Sequence, residues 1–195
     1  MIFWAGDGGV WFAQPGTALG TAIVLPGRMF GAGTPLLHWT SMALTQHGWS
    51  VLTASWDEEA LESEPADHVV TVAASAFERA SSSLPVLVVA KSLGTLALPW
   101  AVAMGLPGVW LTPLLGDASV QAAMREVQRP TMLVGGTADP SWVPQEIVGA
   151  GVRIVELAGA DHGLQRRDDW RGSVLSQVPV FDAIVEFADG ILVNR

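Results

Sequence analysis

Residues Val88–Thr95 read VVAKSLGT, a β-branched apolar run that passes straight into a serine flanked by small side chains. Val88, Val89 and Ala90 suit a buried strand, and the segment after Gly94 suits a helix. A chain that turns from strand to helix this sharply brings the two elements close together. The positions two before and two after Ser92 must then be small, as Ala90 and Gly94 are. The same bend lifts the serine Oγ above the strand end and points the following amides at whatever sits there.

Outward from that stretch, runs rich in Val, Ile and Leu recur at Thr21–Leu25, Trp49–Ala54, Pro85–Ala90, Val109–Thr112, Thr131–Val134 and Val152–Leu157. Helix-length segments separate them. Near-continuous apolar strands alternating with helices predict an α/β fold, a doubly wound, mostly parallel sheet of about six or seven strands with helices on both faces. Thr34 and Pro35 open a helix over residues 35–47, which Gly48 closes. A second helix over 67–80 carries Val69, Val70, Ala73, Phe77 and Ala80 on one stripe, and Phe181, Ile184, Val185 and Ala188 mark a closing helix. Pro99 predicts a kink in the helix after Ser92, with its first turns intact. The acidic stretch of Asp57, Glu58, Glu59, Glu62 and Glu64 reads as a solvated loop.

The chain has 195 residues, half of them apolar and 15% charged, enough for one core, and a single domain over 1–195 is expected. A net charge of −9, with no Lys or Arg cluster to offset it, opposes a phosphate backbone and argues against a nucleic-acid partner. Cysteine is absent, which excludes disulfides, thiolate zinc sites and a thiol nucleophile. The opening MIFWAGDGGVWFAQPG has neither a basic n-region nor a long apolar h-region. No apolar run reaches the roughly 18 residues that span a bilayer, so a cytoplasmic protein without a membrane span is expected. Nothing in the sequence alone accounts for nine tryptophans and no tyrosine.

A serine hydroxyl becomes a useful nucleophile only beside an imidazole, with a carboxylate to orient that imidazole and amide donors for the oxyanion. The strand TMLVGG runs into TADPSWVP, placing Asp139 just beyond a strand end, and RIVELAGADHGL places His162 just beyond the next. Taken singly, Asp139 suits a turn before Pro140 and His162 a loop. Asp117, after the strand ending at Thr112, is a second candidate carboxylate. Asp161 reads as solvated, and His38, His47 and His68 as partly buried or surface residues of the predicted helices. Lys91 admits two readings: a charge that steers an anionic substrate, or a packed stem whose ammonium reaches a carboxylate. The second is the expectation.

The pentapeptide AKSLG at 90–94 resembles the GxSxG nucleophile elbow of the α/β-hydrolase family, with Ala90 in place of the first glycine. The order Ser92, Asp139, His162 on successive strand ends also resembles that family, and the resemblance runs from about Thr21 to the C-terminal helix. It implies a catalytic triad of Ser92, His162 and Asp139. It also implies an oxyanion hole from the amides of Leu93 and Arg28, with Met29 as the alternative. Pro26 stands where the family's HG loop has histidine. Most family members insert a cap after the strand corresponding to Val109–Thr112, and residues 113–129 leave room here for one short helix and no cap domain. The implied site is open, walled by Met29, Phe30, Trp56, Leu114, Leu115 and Trp142. The implied activity is that of a carboxylesterase-like serine hydrolase needing no cofactor and no metal. It would act on a small or acyl-chain ester or thioester, as a monomer or small homo-oligomer. Two alternatives remain open. GRMFGAG at 27–33 follows a strand and opens a helix, with Asp57 after the next strand, as in nucleotide-binding α/β proteins, although the spacing is neither GxGxxG nor GxxxxGK[ST]. A catalytically silent binding protein on the same fold is the other.

Overall fold

The computed structural model describes residues 2–6, 9–13, 18–29, 31–80, 83–144 and 151–193. An antiparallel hairpin of β1 (Ile2–Gly6) and β2 (Gly9–Ala13) comes first. It is followed by β3 (Gly20–Leu25), α1 (Pro35–Gln46), β4 (Trp49–Thr53), α2 (Glu58–Ser63), α3 (Pro65–Arg79) and β5 (Val86–Lys91). A 3-10 segment, Ser92–Ala97, leads into α4 (Leu98–Ala103), β6 (Gly108–Leu111), α5 (Ala118–Arg125), β7 (Thr131–Gly136), β8 (Val152–Leu157) and α6 (Trp170–Val193).

The main sheet has six parallel strands in the order β4-β3-β5-β6-β7-β8. The first crossover runs outward from β3 to β4, and every later one runs the other way. The direction of winding therefore reverses between β3 and β5, where the two outgoing loops part and leave a crevice. Register sets Leu25 opposite Ala90, so the loop after β3 and the turn after β5 leave the sheet at the same height. Each of the six predicted strands is present in this sheet. The hairpin was not foreseen, although Asp7-Gly8 between two apolar runs is a hairpin-turn signal. Its β2 lies against β4.

Alternation along the strands divides the core in two. Ile23, Leu25, Val88, Ala90, Trp110 and Leu133 face α3, α4 and α5, while Ala22, Val24, Leu87, Val89, Leu111 and Val134 face α1 and α6. Burying one such leucine contributes roughly 1.5–3 kcal/mol, so both layers are firmly held. Three of the nine tryptophans find their reason here. A Cβ on Gly20 would stand 2.6 Å from the Trp49 ring, one on Gly108 2.5 Å from Trp110, and one on Gly135 2.0 Å from Trp142. Three buried indoles thus lie on strand glycines, filling space that a residue on the strand would otherwise occupy.

Several local expectations are corrected. Thr34 is the N-cap residue of α1 as expected, but its hydroxyl donates back to the Gly31 carbonyl and makes no capping bond. The buried stripe of α3 is Val69, Val72, Ala73 and Ala76, rotated from the predicted one. The acidic stretch is not a loop but α2, capped by the Asp57 carboxylate, which accepts from the Ala60 N–H, and anchored by buried Leu61. The turns after Ser92 are 3-10, and α4 starts at Leu98, so Pro99 stands in a first turn where its missing N–H costs little. The closing helix begins earlier than its apolar pattern, at Trp170.

Candidate active site

The strand β5 ends at Lys91, and Ser92 then adopts a φ of 48°, a left-handed conformation unfavourable for any residue but glycine. The surroundings hold it there. The Gly94 N–H donates to the Pro26 carbonyl at 3.1 Å. A Cβ at Gly94 would lie 2.4 Å from the Leu25 carbonyl oxygen, so a side chain at this position would force the turn away from β3. Ala90, two residues before the serine, is fully buried. Thr95 donates its hydroxyl to the Ser92 carbonyl at 2.5 Å and accepts the Leu114 N–H at 3.1 Å, tying the turn to the loop after β6. Thr95 was not singled out from sequence, where it looks like any small helix residue.

His162 arrives on the loop between β8 and α6. Its Nε2 lies 2.8 Å from Ser92 Oγ and its Nδ1 2.6 Å from Asp139 Oδ2. With Nδ1–H donating to the carboxylate, Nε2 is left as the acceptor for the serine proton. Asp139, on the loop after β7, is 5% exposed, and its other oxygen accepts the Ser141 N–H at 2.9 Å. The histidine loop is itself fixed. Asp161 accepts from the amides of Gly163 and Gln165, and Gln177 of α6 donates to the carbonyl of buried Leu164. Behind it, a Cβ at Gly136 would come within 2.1 Å of the Ala160 carbonyl oxygen, so β7 and this loop pack with only a hydrogen between them.

The rival groups are engaged elsewhere. Asp117 caps α5, accepting from the Ser119 hydroxyl and from the amides of Ser119 and Val120. The Ser119 hydroxyl bond, foremost among these, holds its carboxyl below the usual range. His38 stands edge-on to Trp39, His47 meets Asp189 at 3.2 Å, and His68 accepts the Asp57 N–H. Among the described residues, no group of three or more His, Asp or Glu is placed to hold a metal ion. None of the described helices is long and apolar enough to cross a membrane.

Lys91 is fully buried, and its Nζ donates to Thr112 Oγ1 and to the main-chain carbonyl of His162, each at 3.2 Å. Burial pushes its pKa down to about 8, against the opposing pull of Asp139 and Asp161.

Between the loop after β3 and the end of β4, a cavity of about 340 Å³ is walled by Pro26, Gly27, Arg28, Gly31 and Trp56 among others. Trp56 Nε1–H donates to the Pro26 carbonyl, which thus accepts from both Trp56 and Gly94. Of the residues expected to wall the site, Trp56 does line this cavity. Arg28 and Met29 are exposed, Leu93 follows the serine half-buried, and Leu114 is half-buried beside Thr95. Phe30 lies outside the described residues. Leu115 and Trp142 are corrected to core: Gly135 lets the Trp142 indole lie flat on β7, where its N–H donates to Glu156 at 2.7 Å.

No family model matches the chain, and no curated protein sequence matches it. Solved structures do. Est1E from Butyrivibrio proteoclasticus is similar at 11% identity, over 100% of this chain and 99% of that one, with a TM-score of 0.72. Alpha/beta hydrolase domain-containing protein 10 from mouse is similar at 12% identity, over 97% and 98%, with a TM-score of 0.72. A lidless a/b serine hydrolase from Xanthomonas campestris is similar at 17% identity, over 96% and 92%, with a TM-score of 0.64. At such identities the likeness speaks for the fold, and it agrees with the strand order and with a β6–β7 connection that holds only α5. The chain has the α/β-hydrolase fold, with no cap between β6 and β7.

Proposed function

We propose that the chain is a serine hydrolase that cleaves a small or acyl-chain carboxylic ester, or a thioester, through an acyl-enzyme on Ser92. The observation that carries this reading is one imidazole bonded at both ends, 2.8 Å from a serine hydroxyl and 2.6 Å from a buried carboxylate. His162 Nε2 takes the Ser92 proton as Oγ adds to the substrate carbonyl, and Asp139 holds Nδ1–H and steadies the imidazolium. The oxyanion accepts the N–H groups of Leu93 and Arg28, with Met29 as the alternative to Arg28. Nε2–H then protonates the departing alkoxide or thiolate, and water releases the acyl group by the same route in reverse. The cavity bordered by Trp56 and the loop after β3 takes a modest apolar substituent.

Solved structures with similar folds include an esterase from Pyrococcus furiosus and a monoacylglycerol lipase from Paleococcus ferrophilus, which supports ester hydrolysis over the other reactions the fold hosts. We place the enzyme in the cytoplasm as a monomer or small homo-oligomer acting on a diffusible substrate without a cofactor. The cysteine-free, acidic composition supports that placement. The test is hydrolysis of p-nitrophenyl acetate and butyrate by the purified chain and by Ser92→Ala. The reading expects turnover by the former and none above buffer by the latter, with unchanged circular dichroism. Equal turnover by both would refute it.

A further inference from the structure

A lysine with 0% exposure at the end of a central strand is an expensive residue to keep, since its charge is stripped of water. Three observations converge on what it does. It adjoins Ser92 in sequence, but alternation along β5 sends its side chain to the other face of the sheet, the side of Val89, toward α6 and the histidine loop. There Nζ donates to Thr112 Oγ1 and to the carbonyl of His162, so one ammonium joins the ends of β5 and β6 to the residue bearing the imidazole. Thr112 is itself strained, with a φ of 41°, and its N–H is bonded to Val134 of β7.

We propose that Lys91 is a positioning residue for the hydrolytic reaction, an internal strut that sets the His162 main chain at the height from which its imidazole reaches Ser92. The proposal rests on the reading of Ser92, His162 and Asp139 as the reacting groups. Methionine would fill the same space without the cost of a buried charge, but it would leave the His162 carbonyl without this donor and the loop free to shift. A displacement on the ångström scale is enough to cost a proton transfer about a hundredfold in rate. A charged donor holds a carbonyl more strongly than a neutral one, so the strut weakens when the ammonium loses its proton. The charged groups that act on it are Asp139 on the loop after β7 and Asp161 on the loop after β8, while His162 meets it through the main-chain carbonyl. With a folded-state value of about 8, the strut is at full strength below that pH and weakened above it.

The test compares wild type, Lys91→Met and Lys91→Gln in two readouts. In steady-state ester hydrolysis, Lys91→Met lowers kcat tenfold or more with KM within twofold. Wild-type kcat steps down as pH rises through about 8, and both variants lack that step. In amide hydrogen exchange by mass spectrometry, which needs no activity, peptides over 158–169 exchange faster in Lys91→Met. Lys91→Gln keeps an N–H donor without the charge, and it serves equally if the methionine variant does not fold. An active wild type whose variants match it in kcat, pH profile and exchange would overturn the strut and leave the hydrolase reading standing. Faster loop exchange in the variants of a chain that hydrolyses no ester would refute the hydrolase reading and with it the positioning role, leaving Lys91 a structural tie of the loop alone.

Discussion

The two edges of the one sheet are built differently. At the edge where the strands end, the three non-glycine residues with positive φ among those described stand in outgoing loops: Ser92 after β5, Thr112 after β6 and Leu164 after β8, at 48°, 41° and 56°. At the edge where strands begin, the same region of backbone space is taken by Gly48, Gly105 and Gly151, leading into β4, β6 and β8, while a fourth such glycine, Gly159, follows β8 at the first edge. Glycine adopts that conformation freely, and a side chain does not. The first edge therefore holds strain in place with close contacts and a buried ammonium, and the second relieves it. The larger cavity, about 420 Å³ and bordered by Leu106, Trp110, Glu126 and Arg129, opens at the relaxed edge. Its size is no guide to chemistry, because the bonded Ser92, His162 and Asp139 all stand at the other edge.

The largest expected difference between the edges is chemical. Asp139→Asn keeps the shape of the site but frees the imidazole to take the wrong tautomer, so kcat for ester hydrolysis should fall about 10⁴-fold. A loss under tenfold would mean that Asp139 does not orient His162.

Next comes Gly94→Ala at the strained edge, where the added methyl meets the Leu25 carbonyl at 2.4 Å. It should cost about 3 kcal/mol and lower Tm by roughly 6–12 °C. Activity should fall along with it. The matching change at the relaxed edge is Gly105→Ala, whose Cβ meets nothing closer than Arg129 Nε at 3.8 Å. It should cost only the left-handed backbone penalty of about 1 kcal/mol, with kcat unchanged. Differential scanning calorimetry on the pair decides this, and equal losses would erase the contrast.

The smallest effect belongs to Asp117→Ala, which removes the α5 cap for about 1 kcal/mol and leaves kcat within twofold. Because the folded-state carboxyl is held below its usual range, the cap contributes fully above the ordinary carboxylate value of about 4 and is lost as pH falls through the depressed one. The Tm difference between Asp117→Ala and wild type should therefore shrink in acid.

The legible parts of the sequence were those in which local pattern and tertiary role agree. Val88–Ala90 is β-branched or small because it is buried on both faces, and Ala90 and Gly94 are small because the turn crowds β3. Asp139 and His162 could be placed because each follows an apolar strand by only a few residues. What could not be read depended on distant partners. Lys91 gives no hint in sequence that its acceptors are Thr112 and the carbonyl of His162, 21 and 71 residues away. Trp142 follows the same strand as Asp139 and looked like a cleft wall until Gly135 was seen to leave room for it in the core. The acidic stretch of α2 concealed a helix because one buried residue, Leu61, suffices to anchor six residues.

The central claim, that the strained edge activates one serine, is tested most directly with a fluorophosphonate probe, since attack on phosphorus needs an activated hydroxyl and no knowledge of the substrate. Purified protein is treated at neutral pH and the adduct located by tandem mass spectrometry. The account predicts a single adduct on Ser92 that His162→Ala abolishes; an unlabelled protein, or an adduct on another serine that survives Ser92→Ala, would contradict it.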